Sequence, residues 1–437
     1  MREQLLKQAQ AAVELGKQAG ADEVVAGVAW RRGLKFEWRE GRLERVQEST
    51  SRRLGLAIHV DGRYSTSSTN DLEPDRLGSF ARDAVALTRC LEVDPHRRIT
   101  PPALYEGRSD VDLELVDSRM AELTREERVA WCRTMDEHGR ASDAVQTAES
   151  FVSDGHSISA RASSNGFEGM EESTGVWLFS QVSARDGDSR PEAYHYAGGT
   201  HLDELPTPES IADEALRRAL ARIGSHKVAS VRTTMVLDPE AGSGFLGRVF
   251  GALSAASIQQ KRSYLAKSLN EPIAPELLSL TDDPLRPRGL GSQHYDGEGI
   301  ASCERVIIDK GVLKTFYVDT YYGRKLGWEP TTGSRSNVVF EHGARDLSGI
   351  IGSVSDGIYV TGWLGGNANM TTGDFSFGLR GFLISGGEIG APVSEMNVTG
   401  NYGEILKRLV EVGNDPVPWS DFRTPTLVFE DVQFSGS

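Results

Sequence analysis

The chain has 437 residues, 38% apolar and 25% charged, with 47 glycines and 17 prolines, a globular composition long enough for two or three packed units. A formal net charge of −15 argues against nucleic acid as a partner. Charges spread from Met1 to Gly20 do not fit a signal peptide, and no stretch approaches the roughly 18 apolar residues a membrane helix needs. Three cysteines, Cys90, Cys132 and Cys303, form no C-x-x-C pair, which excludes a disulfide framework and fits a cytoplasmic protein.

Leu6, Ala9, Val13 and Leu15 recur at near-helical spacing and Gly20 follows, predicting an opening amphipathic helix over 3–19. From Glu23 to Ser68, β-branched and aromatic residues broken by Gly33, Gly41 and Asp61-Gly62 predict short strands joined by hairpins. A second helix is expected over 75–91, and the proline-broken stretch 93–115 reads as a connection. Thr124 and Glu127 stand three apart before Val129, Trp131, Cys132 and Met135, as a capping box does at the start of a helix.

Residues 144–196 again read as antiparallel strands, with Asp154-Gly155 and Asn165-Gly166 as turns. Thr207-Pro208 opens a helix whose apolar stripe is Ile211, Leu216, Leu220 and Ile223, stopped by Gly224. A strand at 233–237 leads into a glycine- and alanine-rich helix over about 242–256, and strands and turns fill the remainder. The pattern predicts an α+β fold: two similar helix/antiparallel-strand units over 1–115 and 116–226, then a β-rich C-terminal domain over 227–437, a sandwich or barrel.

Local motifs are weak. Gly242, Gly244 and Gly247 spell G-x-G-x-x-G, but the proline-broken segment 270–287 replaces the second strand of a dinucleotide fold, and close helix packing explains the glycines better. The nine histidines include no H-E-x-x-H; His195 and His201 are six apart without an adjacent glutamate. His294, Asp296 and Glu298 put three ligand types in five positions, although an acidic turn is the simpler reading. No G-x-S-x-G elbow occurs. The glycine-dense run 362–375 is unusual for strand sequence; Gly365, Gly366, Asn367, Thr372 and Gly373 mark either tight turns or an edge that an extended peptide could approach.

Several segments in order resemble the TldD/PmbA family: Val236-Leu237-Asp238-Pro239, Gly244 to Ser254, Tyr295 to Gly299, Gly311-Val312-Leu313, Thr372 to Ser376 and Val412 to Asp415. The resemblance implies a heterodimeric metalloprotease in which the TldD subunit carries H-E-x-x-x-H on a helix and the TldE (PmbA) subunit has the same fold without it. Here the motif positions fall at about Arg248, Val249 and Leu253, none able to act as zinc ligand or water-activating carboxylate, and no cysteine follows Cys303. The implied role is a TldE/PmbA-like subunit that takes part in cutting peptides, holds no metal or catalytic residue itself, and pairs with a zinc-bearing TldD-like partner. A stand-alone peptide-binding or scaffold homodimer is the alternative.

Overall fold

A computed structural model of the chain describes residues 1–436. The N-terminal half is built on one six-stranded antiparallel sheet in the order β3-β2-β1-β4-β5-β6. Its strands are β1 (Glu23–Arg39), β2 (Arg42–Val60), β3 (Arg63–Thr69), β4 (Val145–Ser163), β5 (Glu168–Ala184) and β6 (Glu192–Gly199). Four helices, α1 (Arg2–Gln18), α2 (Pro74–Arg89), α3 (Arg125–Gly139) and α4 (Pro208–Leu220), cover one face. The face follows from period-two alternation: Val24, Ala26, Val28, Phe36 and Trp38 of β1 all join the helix-side clusters. The two similar stretches therefore share a sheet, because β1 pairs with β4 from Val25↔Ser163 to Arg39↔Glu149.

Helix caps are where the sequence placed them. Thr124 Oγ1 accepts from the Glu127 amide at 3.2 Å, while the Glu127 carboxylate accepts from the Thr124 amide at 2.7 Å. Thr207 caps α4 ahead of Pro208. The buried faces are rotated from the expected ones. In α4 the fully buried residues are Ile211, Ala212, Ala215 and Ala219, so alanines lie against β5 and β6 while Leu216 sits at the margin. In α1 they are Leu5, Ala9, Ala12, Val13 and Gly16; a Cβ on Gly16 would meet Val24 at 2.8 Å.

Two expected turns are corrected. Gly33 lies inside the 17-residue β1, and Asp154-Gly155 lies inside the 19-residue β4. Gly33 sits opposite Gly155, and Gly155 opposite Gly175, so these glycines form a row across three strands rather than turns. Asp154 is paired with both β1 and β5, and its carboxylate accepts from Arg128 of α3, 2.8 Å to Oδ1, both side chains being buried.

The C-terminal half runs β7 (His226–Lys227), β8 (Val231–Leu237), α5 (Pro239–Ala252), α6 (Ala255–Gln259), β9 (Leu280–Asp282), β10 (Arg305–Asp309), β11 (Val312–Leu313), α7 (Thr320–Leu326), β12 (Val338–Phe340) and α8 (Leu347–Ile351). It continues β13 (Asp356–Asn369), β14 (Asp374–Ser385), β15 (Glu388–Ser394), β16 (Asn397–Asn401), α9 (Tyr402–Ile405), β17 (Leu409–Val412), β18 (Phe422–Arg423) and β19 (Leu427–Ser435). Neighbours β13-β8-β19-β16-β14 are joined back by β13–β14 pairing, closing a barrel, and β11-β10-β9-β12-β18 form a second sheet. Of the two expected forms, the barrel is the one adopted. A large core, from Met235 to Phe434, occupies this half beside a smaller cluster around Val236, Ile350 and Tyr359.

Candidate functional site

Helix α5 follows β8 directly. Asp238 caps it, accepting from the Glu240 amide at 2.9 Å, and Pro239 occupies the first turn where no amide is needed. The capping carboxylate thus fills the helix end at which a dinucleotide phosphate would sit. Phe245 anchors the helix among Trp363, Phe375, Tyr402 and Phe429, with ring centroids 4.9 to 6.1 Å apart.

The motif positions point in two directions. Val249 is 3% exposed and Leu253 is fully buried, both packed in the main core. Arg248 is exposed, its guanidinium 4.8 Å from the Phe377 ring centroid. None of the three offers a donor a zinc ion could use, so the helix does not fit that metal. Around Arg248, Gly244 and Gly251 are also exposed, and a Cβ on Gly247 or Gly251 would meet nothing within 4 Å. Close packing explains only Gly242, whose Cβ would meet Thr424 at 2.7 Å. The other glycines leave one face of α5 bare.

Beside that face runs the β13–β14 ribbon. Trp363 donates its indole N–H to the Ala241 carbonyl at 2.9 Å, tying the ribbon to the first turn of α5. β13 pairs with β8 only from Gly357 to Val360, whereas it pairs with β14 out to Asn369. Among the described residues, 362–369 therefore have a strand on one side only. Gly365 and Gly366 take φ of +119° and +126° next to the bulge at Trp363/Gly365, and a Cβ on Gly366 would run into the Ser376 carbonyl. Gly365, Gly366 and Asn367 are exposed. Thr372 and Gly373 form the turn, held by Asn401, which donates to the Thr372 carbonyl at 2.8 Å, and by the Gly373 amide bonding Asn369 at 2.7 Å.

His294, Asp296 and Glu298 engage separate partners. His294 Nε2 lies 2.8 Å from the Val111 carbonyl. Asp296 is buried and accepts from the amides of Glu298 and Ile300 and the hydroxyl of Thr332. Glu298 accepts twice from Thr320 at 2.7 Å; burial pushes its carboxyl up, against the pull of those bonds. His195 and His201 also part ways, toward Glu240 at 3.6 Å and Thr200 at 3.1 Å. Among the described residues no three His, Cys, Asp or Glu side chains gather as a metal-holding group.

Sequence reasoning did not single out Glu171. It faces a cavity of about 630 Å³ on the face of the central sheet away from the helices, floored by small residues such as Gly27, Gly55 and Ser159 and bounded by Tyr295 and Asp296. Burial pushes its carboxyl up to about 7, against the pull of Arg161, and its Oε1 has no hydrogen-bond partner. An isolated glutamate in strand text carries no local signal; only the period-two register from β1 to β5 brings it over that floor.

Family models described as PmbA/TldA metallopeptidase domain 1, central domain and C-terminal domain match residues 25–88, 119–223 and 230–436. Fold and family domains thus define a PmbA/TldD-type scaffold. The Escherichia coli O157:H7 protein named metalloprotease PmbA is 27% identical over 96% of this chain and 93% of its own. A Bacteroides thetaiotaomicron crystal structure described as a modulator of DNA gyrase is 38% identical, with a TM-score of 0.96, covering 99% of this chain and 98% of that one. TldE from Thermococcus kodakarensis shares the fold at 21% identity and a TM-score of 0.87, covering 98% of this chain and all of that one (100%). The chain belongs to the PmbA/TldD family.

Proposed function

We propose that this chain is a TldE/PmbA-like subunit of a TldD/TldE-type metalloprotease acting on peptides, supplying a peptide-holding face and no metal. Helix α5 carries the reading: its three motif positions hold an exposed cation and two buried aliphatic side chains. A TldD-like partner would bring the zinc and the water-activating carboxylate. The one-sided stretch of β13 can accept an extended peptide through backbone hydrogen bonds, and Gly365 and Gly366 leave that backbone uncovered. The full-length similarity to a protein named metalloprotease PmbA and the fold shared with TldE support the same side of the family.

Native mass spectrometry of the tagged chain isolated from its own host tests this. The expected result is a complex with one zinc-bearing homologous partner. A metal-free homo-oligomer would replace the reading with a stand-alone peptide-binding protein. A homo-oligomer with stoichiometric metal would overturn it and turn attention to His294 and its neighbours.

A further inference from the structure

A second cavity, of about 470 Å³, lies between α4 and β6 on one side and the β13–β14 ribbon on the other. Its wall carries acidic and basic groups in nearly equal number, and the pairing among them is uneven. Glu214 accepts from Arg217 and Arg218 at 2.7 Å, and Glu240 accepts twice from Arg218 at 3.0 Å. Asp238 is engaged by the Tyr359 hydroxyl at 2.5 Å and by its capping bond. Asp415 accepts from the amide and hydroxyl of Thr426 and from the Leu347 amide, at 2.8 to 3.0 Å. The Glu192 side chain is exposed; its carbonyl accepts from Arg222, and its carboxylate acts on Arg222 only through space, without an ion-pair contact.

Two guanidiniums are left without an ion-pair contact. Among the described residues no carboxylate lies within ion-pair distance of Arg222 or Arg380, although both line the cavity. Arg380 Nε is buried and donates to nothing, and so is the indole N–H of Trp419 on the same wall. Burial and then the Arg380 charge push Arg222 down to about 10, against the weaker pull of Glu192, so the two cations lie within each other's field. Like charges held together with buried donors unused are a destabilising arrangement unless an anion completes it. Trp363, Tyr194 and Phe382 supply apolar wall, and the volume exceeds what an inorganic ion fills.

We propose that this cavity binds a carboxylate attached to an apolar or aromatic group, held by Arg222, Arg380 and the Trp419 indole N–H. Guanidiniums present N–H groups in a planar fork that matches a carboxylate, and the aromatic wall takes the group attached to it. The carboxylate can belong to a peptide C-terminus or to a small aromatic acid. The site stands apart from the subunit reading, since it is assembled entirely within this chain.

Calorimetric titration of the full chain with N-acetylphenylalanine, its amide, phenylacetate and inorganic phosphate tests the proposal. The acid should bind at least about tenfold more tightly than its amide, the value of one charge-assisted hydrogen bond set. Arg222→Gln and Arg380→Gln should each weaken acid binding about tenfold or more and leave amide binding unchanged. The exposed control Arg232→Gln, which does not line the cavity, should change neither. Equal binding of N-acetylphenylalanine and phenylacetate would identify a small acid as the ligand, and preference for the former a peptide terminus; either supports the site. Equal binding of acid and amide, absence of binding at millimolar acid, or equal competition by phosphate would overturn it. The acid–amide comparison uses the unaltered chain, so it holds even where a variant folds poorly. Loss of the TldD-like partner in the mass-spectrometric experiment would leave this result untouched.

Discussion

On the proposed reading, placing the TldD-type motif on α5 separates a helix that merely lacks ligands from one whose motif positions serve as core. In the triple variant Arg248→His, Val249→Glu, Leu253→His, the first substitution falls at an exposed position and the other two fall in the main cluster. Arg248→His forfeits a cation–π contact with Phe377 and should cost no more than about 1 kcal/mol. Val249→Glu forfeits about 1.5–3 kcal/mol of aliphatic burial and adds about 1–3 kcal/mol for a buried carboxyl without partners. The single variant should therefore lose about 2.5–6 kcal/mol, and the triple variant should approach the whole stability of an ordinary domain, about 5–15 kcal/mol. Urea unfolding followed by tryptophan fluorescence reads the loss, because Trp363 is bonded to the first turn of α5. Zinc titration of the folded fraction reads the metal. A Val249→Glu midpoint within about 1 kcal/mol of the parent, or stoichiometric zinc in the triple variant, would refute the reasoning by showing that both side chains can turn to the open face.

Three further outcomes are expected. The Glu171 carboxyl binds its proton more tightly in the folded state, to about 7 against an ordinary 4.5, so the native state holds the extra proton and stability falls as pH rises between those values. Glu171→Gln should remove that fall, gaining up to about 3 kcal/mol relative to the parent at pH 8 and little at pH 4; parallel pH profiles of denaturation would contradict it. Gly366→Ala should cost about 1–3 kcal/mol through its positive φ and the Ser376 carbonyl, more than Gly365→Ala, which meets open space, and equal melting temperatures would count against the bulge geometry. Arg128→Ala should cost about 3–5 kcal/mol by leaving buried Asp154 without its partner, a loss that replacing Asp154 as well should partly restore in a double-mutant cycle.

What could be read from sequence was what is local. Thr124 with Glu127, and Thr207 with Pro208, carry their own geometry, because a cap satisfies amides within three residues. The Asn165-Gly166 turn between β4 and β5 is equally local, with Gly166 at φ +98°. Asp154-Gly155 has the same dipeptide form yet lies mid-strand, since pairing with both β1 and β5 outweighs its turn preference. The shared sheet was out of reach for the same reason: Val25 meets Ser163 across more than a hundred residues, and register at that separation leaves no local trace. The helical stripes were displaced toward alanine because hydrophobicity ranks Leu216 above Ala215, whereas the close approach of α4 to β5 and β6 favours the smaller side chain.

The same contrast governs the site. The motif positions at Arg248, Val249 and Leu253 could be counted along the chain, but which of them face the core is set by the barrel that α5 packs against. Gly244 and Gly247 read, with Gly242, as glycines serving close helix packing, and they instead leave the helix bare beside Arg248, as does Gly251. A catalytic zinc helix must aim its ligands out of the core toward substrate, so its ligand positions cannot also supply core volume. Here Val249 and Leu253 do supply it. On the proposed reading the chain has exchanged metal affinity for packing on one side of α5 while the other side stays open to a bound chain. On that reading, packing on one side of α5 keeps the scaffold folded while the other side and the ribbon beside it stay open. It also makes the two faces separable by experiment: substitutions at Val249 or Leu253 should act on stability, and those at Gly365 or Asn367 on peptide binding measured with the partner present.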